Sequence, residues 1–460
     1  MCGIFGIYGH PNAAEISHLG LYSLQHRGQE SAGIVASGSQ AGARASKTMG
    51  LVSEGFKGID AGGLEGDVAI GHTRYSTAGS TTIENAQPML ARFRDGHIAL
   101  AHNGNLINAT ELRRELEAAG SIFTSTMDSE VLVHRIARSA SEKPEDKLAD
   151  ALQNVDGAYS LVVLIGDTLL AVRDPRGWRP LVMGMLNGST VFASESCALD
   201  IVGATAVREV GRGEIVAVDR EGVRSSFPLP AQEGHQCVFE YVYFARPDSR
   251  VFGGSVDRAR RALGRRLARE HPAAGADFVF SVPDSSNSAA LGYAEESGLA
   301  FELALIRNHY VGRTFIQPTQ SGRDAKVKVK YNAVREVLDG KSVVMVDDSI
   351  VRGTTTKGLV AMVRAAGARE VHMRVSSSPI TGPCYYGIDT PNREELIAAN
   401  LTVDQIAQTL GVDSLGYLSI DGMLDSVPDG PDGFCHACFS GDYPTPPPAD
   451  PQKLRFGCGC

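Results

Sequence analysis

Hydrophobic residues follow two different patterns along the chain. Over residues 1–228, short apolar runs separated by glycine and polar turns predict β-strands, as in DVAIGHTRYST, HIALAHNGNL and AYSLVVLIGDTLLAVRD. Two helices are predicted among them: ATELRRELEAAG, with Thr110 as N-cap and Gly120 after its end, and SEVLVHRIARSA, which follows Asp128. The proline-containing segment from Ser226 to Gly234 predicts a linker.

After residue 235 the pattern changes to strands that alternate with helices. DRARRALGRRLAREH, AALGYAEESG and TTTKGLVAMVRAAG predict helices, whereas ADFVFSVPDSS, SVVMVDDSI and EVHMRVSSSPI predict strands. This alternation is typical of a parallel α/β sheet. The last residues are rich in Gly, Pro, Asp and Cys, which predicts a segment that wraps the surface or is disordered.

Composition and charge exclude several classes of protein. The 460 residues include 44 Lys and Arg against 53 Asp and Glu, a net charge of −9, and the length suggests about three domains. We expect no membrane span and no secretion signal, because no apolar run is long enough and MCGIFGIYGH lacks a basic region. The acidic balance argues against nucleic acid, so an anionic ligand would need locally concentrated positive charge.

The eight cysteines are too few for a disulfide scaffold, which favours a reducing compartment such as the cytoplasm. Cys2 follows the initiator Met1, whose removal is expected. The residue would then carry a thiol with a pKa near 8.5 and an α-amine with a pKa of about 7.7–8.0, a nucleophile and a base together. The alternative is that Cys2 is only a small apolar residue that begins a strand.

Glycine-rich and polar segments beside the predicted strands favour the nucleophile. In GHTRYSTAG, HNGNL and TSTMDSEVL, Arg74 would bind a carboxylate, Asp128 an amino group, and Asn103 with the Gly104 N–H an oxyanion. Taken one at a time, Arg74 and Asp128 would be surface charges, and Asn103 with Gly104 would form a turn. Together with CGIFGIYG and SLQHRGQESAGI they resemble the class II glutamine amidotransferases. This resemblance implies an αββα sandwich of the N-terminal-nucleophile type, with Arg27 in the glutamine pocket.

A second motif, VVMVDDSIVRGTTTKG, places two acids at the end of a buried strand and a phosphate cradle at the start of a helix. The alternative is a strand–turn–helix with acids in the turn. The motif is similar to the pyrophosphate-donor site of type I phosphoribosyltransferases. That similarity assigns phosphoribosyl pyrophosphate to Asp347, Asp348, Ser349, Arg352, Gly353, Thr354, Thr355 and Thr356.

The locally concentrated positive charge lies at 313–335, where a polar, basic segment predicts a lid over a polyanion. Lys328 and Lys330 are its predicted ligands for phosphoribosyl pyrophosphate; a solvated basic face is the alternative. Ser285, in PDSSNSA, would complete a Mg²⁺ site with Asp347 and Asp348.

The two motifs together resemble the amidophosphoribosyltransferases over nearly the whole chain. The resemblance implies a glutaminase domain (2–230), an α/β phosphoribosyltransferase domain (235–412) and a tail (413–460). It also implies that glutamine, phosphoribosyl pyrophosphate and water give phosphoribosylamine, glutamate and pyrophosphate, the first committed step of purine synthesis. Ammonia would pass internally between the two sites, purine nucleotides would inhibit, and the chain would form a homotetramer.

The remaining cysteines suggest a metal site. Cys435 and Cys438 form a CxxC, which by itself fits zinc, redox chemistry or an iron–sulfur cluster. With Cys237 and Cys384 the pattern resembles the subgroup of this family that binds a structural [4Fe-4S] cluster; structural zinc is the alternative. Cys197 is expected in the core, and Cys458 and Cys460 have no assigned role.

Three other functions are compatible with part of the sequence: another class II amidotransferase, a non-catalytic nucleotide sensor, and a salvage phosphoribosyltransferase that uses a free base. The motif at 343–358 argues against the first, and the intact site residues argue against the second. A salvage enzyme would not need a glutaminase domain.

Overall fold

The N-terminal part, residues 1–230, is built on two antiparallel β-sheets. The structure is a computed structural model and describes residues 1–38, 42–56, 63–75, 81–309, 330–428, 430 and 432–447. One sheet has the strand order Thr205–Glu209, Val182–Leu186, Ser189–Ala193, Gly3–Tyr8, Val68–Arg74, Ser31–Gly38 and Gly42–Met49. The other has the order Gly222–Ser226, Ile215–Asp219, Thr168–Arg173, Gly157–Ile165, Gly96–Leu106 and Met89–Phe93.

The two sheets pack face to face because alternate side chains of their strands are apolar. Ile4 and Ile70 from the first sheet join Ala101 and Val162 from the second in one core that excludes water. Glycine at position 6 permits close packing, since a Cβ there would lie 2.6 Å from a methyl group of Val162.

Helices cover the outer face of each sheet, which gives the αββα sandwich that the resemblance implies. The helices are Ala13–Ser23, Val52–Gly55 and Cys197–Val202 on the first sheet, and Ala109–Ala118, Glu130–Arg138 and Pro144–Leu152 on the second. The prediction that Thr110 caps its helix is wrong, because the residue before the first turn is Asn108. Gly120 has a φ of 85° and follows the helix end, as expected.

The C-terminal part, residues 235–447, contains a parallel sheet with helices on both faces. Its strand order is Ala300–Phe301, Phe278–Ser281, Ser342–Asp347, Glu370–Val375 and Ser414–Tyr417. Val256–Glu270 and Asn287–Ser297 pack on one face, whereas Thr354–Ala365 and Val403–Leu410 pack on the other. The predicted α/β alternation is confirmed, and the carboxyl ends of the central strands meet at one edge.

Short elements complete the described part of this region. They are the helical segments Glu240–Phe244, Arg335–Leu338, Arg393–Glu395, Ile397–Asn400, Ile420–Asp425 and Ala437–Ser440, and the strand pairs Arg250–Val251 with Gly254–Ser255 and Leu305–Arg307 with Tyr331–Ala333. In the N-terminal part, Gln25–Arg27 and Ile83–Asn85 form single helical turns.

The described part of the C-terminal tail is more firmly anchored than its composition predicts. Phe434–Cys435 pairs in parallel with Gln236–Cys237. Phe434 and Phe439 are 6% and 4% exposed and belong to the core of the C-terminal part. No helix among the described residues has the length and apolar character needed to cross a membrane.

Candidate active sites

Cys2 lies where the strand Gly3–Tyr8 begins and is 5% exposed. Its backbone N–H donates to Asn103 Oδ1 at 3.2 Å, and its carbonyl oxygen accepts from Arg27 Nε at 2.9 Å. The thiol is 3.7 Å from the carbonyl oxygen of Tyr75. Met1 is still attached and is 1% exposed. The main chain of Cys2 is therefore held on both sides.

Asn103 and Gly104 lie on the strand Gly96–Leu106, beside Cys2. Asn103 is completely buried, and its Nδ2 has no hydrogen-bond acceptor among the described residues. Because Oδ1 accepts from Cys2, the amide is oriented with Nδ2 available to an incoming oxygen. Gly104 leaves no room for a side chain, since a Cβ would lie 1.9 Å from the Ala158 carbonyl oxygen.

The predicted ligands of the glutamine backbone are also buried. Asp128 Oδ2 accepts from the Leu106 N–H at 2.9 Å, and Arg74 Nη1 pairs with Glu30 Oε1 at 2.8 Å. Asp128 is hydrogen-bonded to the strand that carries Asn103, and Arg74 ends the strand that pairs with Gly3–Tyr8. Their direct contacts with glutamine stay predictions.

Arg27 lies beside Cys2 and contacts its main chain. Its side chain is completely buried, and its guanidinium contacts the Cys2 carbonyl oxygen, Glu195 and Glu240. The described contacts therefore assign Arg27 to holding Cys2 in position. Its predicted contact with glutamine stays a prediction.

The acids of the second motif lie at the carboxyl end of the strand Ser342–Asp347. Asp347 and Asp348 are 8% and 5% exposed. Ser286 Oγ donates to Asp347 Oδ1 at 3.2 Å, whereas Ser285 Oγ and Ser349 Oγ donate to Asp348. The structure thus brings Ser285 to the acidic pair, as predicted.

The two carboxylates disfavour each other's charge. Burial, and next the charge of Asp348, raise the pKa of Asp347 well above its usual value. Burial also raises the pKa of Asp348, although the hydroxyl donors and the Arg260 guanidinium oppose this. Arg260 is itself directed to the backbone, donating to the carbonyl oxygens of Tyr241 and Ala245 at 2.8 Å. The pair therefore has hydroxyl donors but no ion-pair partner among the described residues.

The predicted phosphate cradle follows this strand. Gly353 has a φ of 75°, which glycine adopts readily, and the helix Thr354–Ala365 begins immediately after it. Thr354 and Thr355 are exposed and Thr356 is buried, while Arg352 Nε pairs with Glu395 at 2.9 Å. Lys330 is exposed with its Nζ 5.1 Å from the Tyr331 ring. Lys328 lies outside the described residues, as does most of the predicted lid.

Four cysteines from distant segments line one cavity: Cys237, Cys384, Cys435 and Cys438. Trp178, Arg179 and Tyr386 form part of its wall. Burial raises the pKa of Cys237 to about 11 and raises the pKa values of Cys435 and Cys438 further. Cys197 is buried in the N-terminal core, as expected, and Cys458 and Cys460 lie outside the described residues.

The tryptophan in the wall has an unusual feature. Trp178 is 1% exposed and stacks on Tyr386 with ring centroids 3.8 Å apart, yet its Nε1 has no acceptor among the described residues. Neither Trp178 nor Arg179 was predicted as a site residue, because nothing in the local sequence connects residues 178–179 with cysteines 58 or more positions away.

The N-terminal part is an αββα sandwich that brings Cys2, Asn103 and Gly104 together. The C-terminal part is a parallel sheet that carries an acidic pair and a predicted phosphate cradle. These features define a glutamine-dependent amidotransferase joined to a phosphoribosyltransferase. Comparison with known proteins agrees. Residues 72–200 match the glutamine amidotransferase domain family. The chain is 49% identical to the amidophosphoribosyltransferase of Bacillus subtilis, covering 96% of this chain and 94% of that protein.

Plant relatives and solved structures extend this likeness. An Arabidopsis thaliana chloroplastic amidophosphoribosyltransferase is 50% identical, covering 98% of this chain and 81% of that protein. The structure of the B. subtilis glutamine phosphoribosylpyrophosphate amidotransferase with ADP and GMP has a TM-score of 0.93 at 48% identity, covering 99% of this chain and 100% of that one. The chain belongs to the amidophosphoribosyltransferases. It catalyses the first step of purine biosynthesis, in which glutamine and phosphoribosyl pyrophosphate are the substrates.

Proposed function

We propose that Cys2, freed from Met1, is the nucleophile that releases ammonia from glutamine. Its thiol adds to the carboxamide carbon while its own α-amine accepts the thiol proton. The oxyanion accepts from Asn103 Nδ2 and the Gly104 N–H. The C–N bond then breaks, the proton leaves with ammonia, and water hydrolyses the thioester to glutamate. The observation that carries this proposal is the buried Nδ2 of Asn103 beside Cys2, which has no acceptor among the residues that the structure describes.

Asn103→Asp tests the oxyanion role, because it replaces the amide donor by an oxygen of equal size. We expect kcat with glutamine to fall by about 10² to 10³, and synthesis from added ammonia to persist. Asn187→Asp, the same change in an exposed turn, is the matched control. Unchanged glutamine turnover in Asn103→Asp would contradict the assignment.

We propose that phosphoribosyl pyrophosphate binds at the second motif, with the ribose and pyrophosphate near Asp347 and Asp348. The 5-phosphate would meet the backbone N–H groups and hydroxyls of residues 349–356, at the start of a long helix. Lys328 and Lys330 would contact the pyrophosphate. Ammonia reaching this site displaces pyrophosphate at C1 of the ribose, so the protein supplies position rather than a nucleophile.

We propose one Mg²⁺ per subunit at Asp347, Asp348 and Ser285. The donor chemistry fits, since two buried carboxylates without an ion-pair partner in the described structure favour a divalent cation. Among the described residues, no group of three or more His, Cys, Asp or Glu side chains could hold a metal ion. Such a sparse site suits Mg²⁺, which keeps several waters and takes substrate phosphates as further ligands. Bound there, Mg²⁺ would neutralise charge on the pyrophosphate.

We propose that Cys237, Cys384, Cys435 and Cys438 hold one [4Fe-4S] cluster per subunit. All four cysteines line the same cavity, and four thiolates are the ligand set that such a cluster requires. A structural zinc ion with four cysteine ligands is the alternative, which metal analysis distinguishes from the cluster. The cluster would fasten the tail and the Cys384 loop to the rest of the C-terminal part.

Two observations in the wall of the cavity fit an anionic occupant with acceptor sulfurs. The Trp178 Nε1–H lacks an acceptor in the described structure. Arg179 is completely buried, and the pKa of its guanidinium is raised because nearby Cys237, Glu240 and Cys384 outweigh the effect of burial. A buried cation and a spare N–H donor both favour negative sulfur.

Trp178 also offers a direct test, because it is the only tryptophan in the chain. In anaerobically prepared protein we expect iron and sulfide in equal amounts and weak tryptophan fluorescence, which rises when iron is removed. Cys438→Ser should lose iron and fluoresce strongly, whereas Cys197→Ser should retain iron. Colourless protein that contains only zinc and fluoresces strongly would contradict the cluster.

We further propose inhibition by purine nucleotides, a homotetramer and a cytoplasmic location. The B. subtilis relative was solved with ADP and GMP, which supports nucleotide regulation here. The described cysteines are all free, which suits a reducing compartment. Inhibition assays with ADP and GMP, and analytical ultracentrifugation of the whole chain, test the first two proposals.

A further inference from the structure

Beneath Cys2 lies a network of four completely buried charged side chains. Arg27, Arg179 and Glu195 come from the N-terminal part, and Glu240 comes from the C-terminal part. Two positive and two negative charges balance within the network. Charges of this kind are costly to bury unless they are paired and hydrogen-bonded.

Arg27 connects this network to the nucleophile. Its Nε donates to the Cys2 carbonyl oxygen at 2.9 Å. Its two terminal nitrogens donate to Glu240 at 3.0 and 2.7 Å, as a bidentate pair, and Nη1 also contacts Glu195. A bidentate pair fixes the plane of a guanidinium as well as its position. Glu240 therefore sets the direction in which Nε points.

Glu240 is in turn fixed from its other side. Arg179 Nη1 is 3.5 Å from Glu240 Oε1, and Arg179 Nε donates to the Tyr386 carbonyl oxygen at 3.0 Å. Glu240 begins the segment Glu240–Phe244, in which the Tyr241 carbonyl oxygen accepts a hydrogen bond from buried Arg260. The support of the glutaminase nucleophile is thus completed by a residue outside the glutaminase domain.

We propose that Glu240 is a positioning residue for Cys2. By orienting Arg27 it holds the Cys2 carbonyl oxygen, and with it the thiol, at the place where glutamine is attacked. A displacement of about 1 Å at a reacting atom costs on the order of a hundredfold in rate. This inference rests on the proposed role of Cys2 as nucleophile.

Removal of the Glu240 charge predicts a specific rearrangement. Arg27 and Arg179 would share the single remaining carboxylate, Glu195, which already contacts His26 at 2.7 Å and the Ser249 hydroxyl at 2.7 Å. Arg27 would turn towards Glu195, and its Nε would lose its direction towards Cys2. Glutamine turnover would suffer, whereas the phosphoribosyl site would not.

The experiment compares Glu240→Gln with Glu240→Asp in the full-length enzyme. For Glu240→Gln we expect kcat with glutamine to fall by about ten- to a hundredfold, with KM for glutamine within about threefold of the parent value. Synthesis from added ammonia should remain within about twofold, which also shows that the protein is folded. Glu240→Asp keeps the charge and should restore part of the loss.

Glu214→Gln is the matched control, because Glu214 is 1% exposed and pairs with Arg208 at 2.6 Å in another part of the N-terminal domain. It should leave the glutamine-to-ammonia ratio unchanged. A second readout is the rate at which iodoacetamide modifies Cys2, followed by mass spectrometry of the N-terminal peptide. We expect Glu240→Gln to change this rate and Glu214→Gln not to change it.

Several outcomes would overturn the inference. A rise in KM at constant kcat would mean that the pair acts on glutamine binding, and equal losses of both reactions would mean a merely structural role. Cys2→Ala distinguishes a failure of the proposed nucleophile from a failure of the proposed role of Glu240. If Cys2→Ala keeps glutamine activity, the proposed nucleophile is wrong; if it loses that activity while Glu240→Gln keeps it, only the role of Glu240 is wrong.

Discussion

Two regions of this enzyme bury charge, and they do so in opposite ways. Under Cys2, Arg27 and Arg179 are matched by Glu195 and Glu240. At the phosphoribosyl site, two adjacent aspartates have only hydroxyl and backbone donors in the described structure. The charges of the first region are balanced by one another, whereas the two carboxylates of the second have no opposite charge paired with them in the described structure.

The pKa directions reflect this difference. Burial opposes ionisation of Glu195, but His26 and Arg27 outweigh it and lower the pKa of that carboxyl. At Asp347 burial and the neighbouring carboxylate act together and raise the pKa. Paired buried charge therefore supports Cys2, whereas the two aspartates, which have no ion-pair partner in the described structure, are the basis of the proposed cation site.

The largest effect should come from the nucleophile. Cys2→Ala should reduce glutamine-dependent synthesis by about four to six orders of magnitude and leave synthesis from ammonia intact. Pyrophosphate release measured with each nitrogen source checks this. Loss of both activities in a folded variant would show that the two regions do not act separately.

A charge removed from the acidic pair should affect both nitrogen sources alike. Asp347→Asn should lower synthesis from glutamine and from ammonia by about 10² to 10³, since both routes end at the same ribose carbon. The same assay, run over a range of Mg²⁺ concentrations, checks it. A loss confined to glutamine would contradict the assignment of the acids to phosphoribosyl pyrophosphate.

Stability should change in opposite directions in the two regions. Glu240→Gln breaks a buried ion pair and should lower the unfolding free energy by about 3 to 5 kcal/mol. Asp348→Asn removes like-charge repulsion and should raise it by about 1 kcal/mol without Mg²⁺. Denaturant unfolding at neutral pH measures both. Destabilisation by Asp348→Asn would mean that the pair is already neutralised in the free protein.

The smallest effect concerns pH. A carboxyl whose pKa is raised on folding destabilises the fold above that pKa, and the penalty disappears as the pH falls and both states become protonated. The advantage of Asp348→Asn should therefore shrink as the pH falls from about 8 towards about 4 in Mg²⁺-free buffer. An advantage that is constant with pH would show that it does not arise from charge.

The alternation of apolar strands and helices predicted the parallel sheet, whereas the αββα sandwich and the convergence of Cys2 with Asn103 followed from the resemblance of the compact motifs to known amidotransferases. The resemblance also predicted that four distant cysteines would meet. The sequence did not predict Glu240, Arg179 or Trp178. Their contacts form across segments that fold independently of any shared motif, and a lone buried Glu has the same local signature as a surface Glu.

The role of Arg27 shows the same limit. The motif HRG placed it near the nucleophile, but only the three-dimensional contacts show that its guanidinium joins the Cys2 carbonyl oxygen to Glu240. Likewise, composition predicted a loose tail, whereas Phe439 stacks on Phe239 with ring centroids 5.7 Å apart. Composition averages over a segment and misses its few anchoring residues.

The loop that follows Cys384 meets the strand of the oxyanion residues. A Cβ at Gly387 would lie 2.8 Å from the Gly104 carbonyl carbon, and Asn105 Nδ2 donates to the Tyr385 carbonyl oxygen at 2.9 Å. The residues on this strand and this loop must therefore fit each other closely, so a change in one segment requires a matching change in the other. Chimeras that exchange one catalytic domain between distant relatives should lose the use of glutamine unless both surfaces come from the same parent.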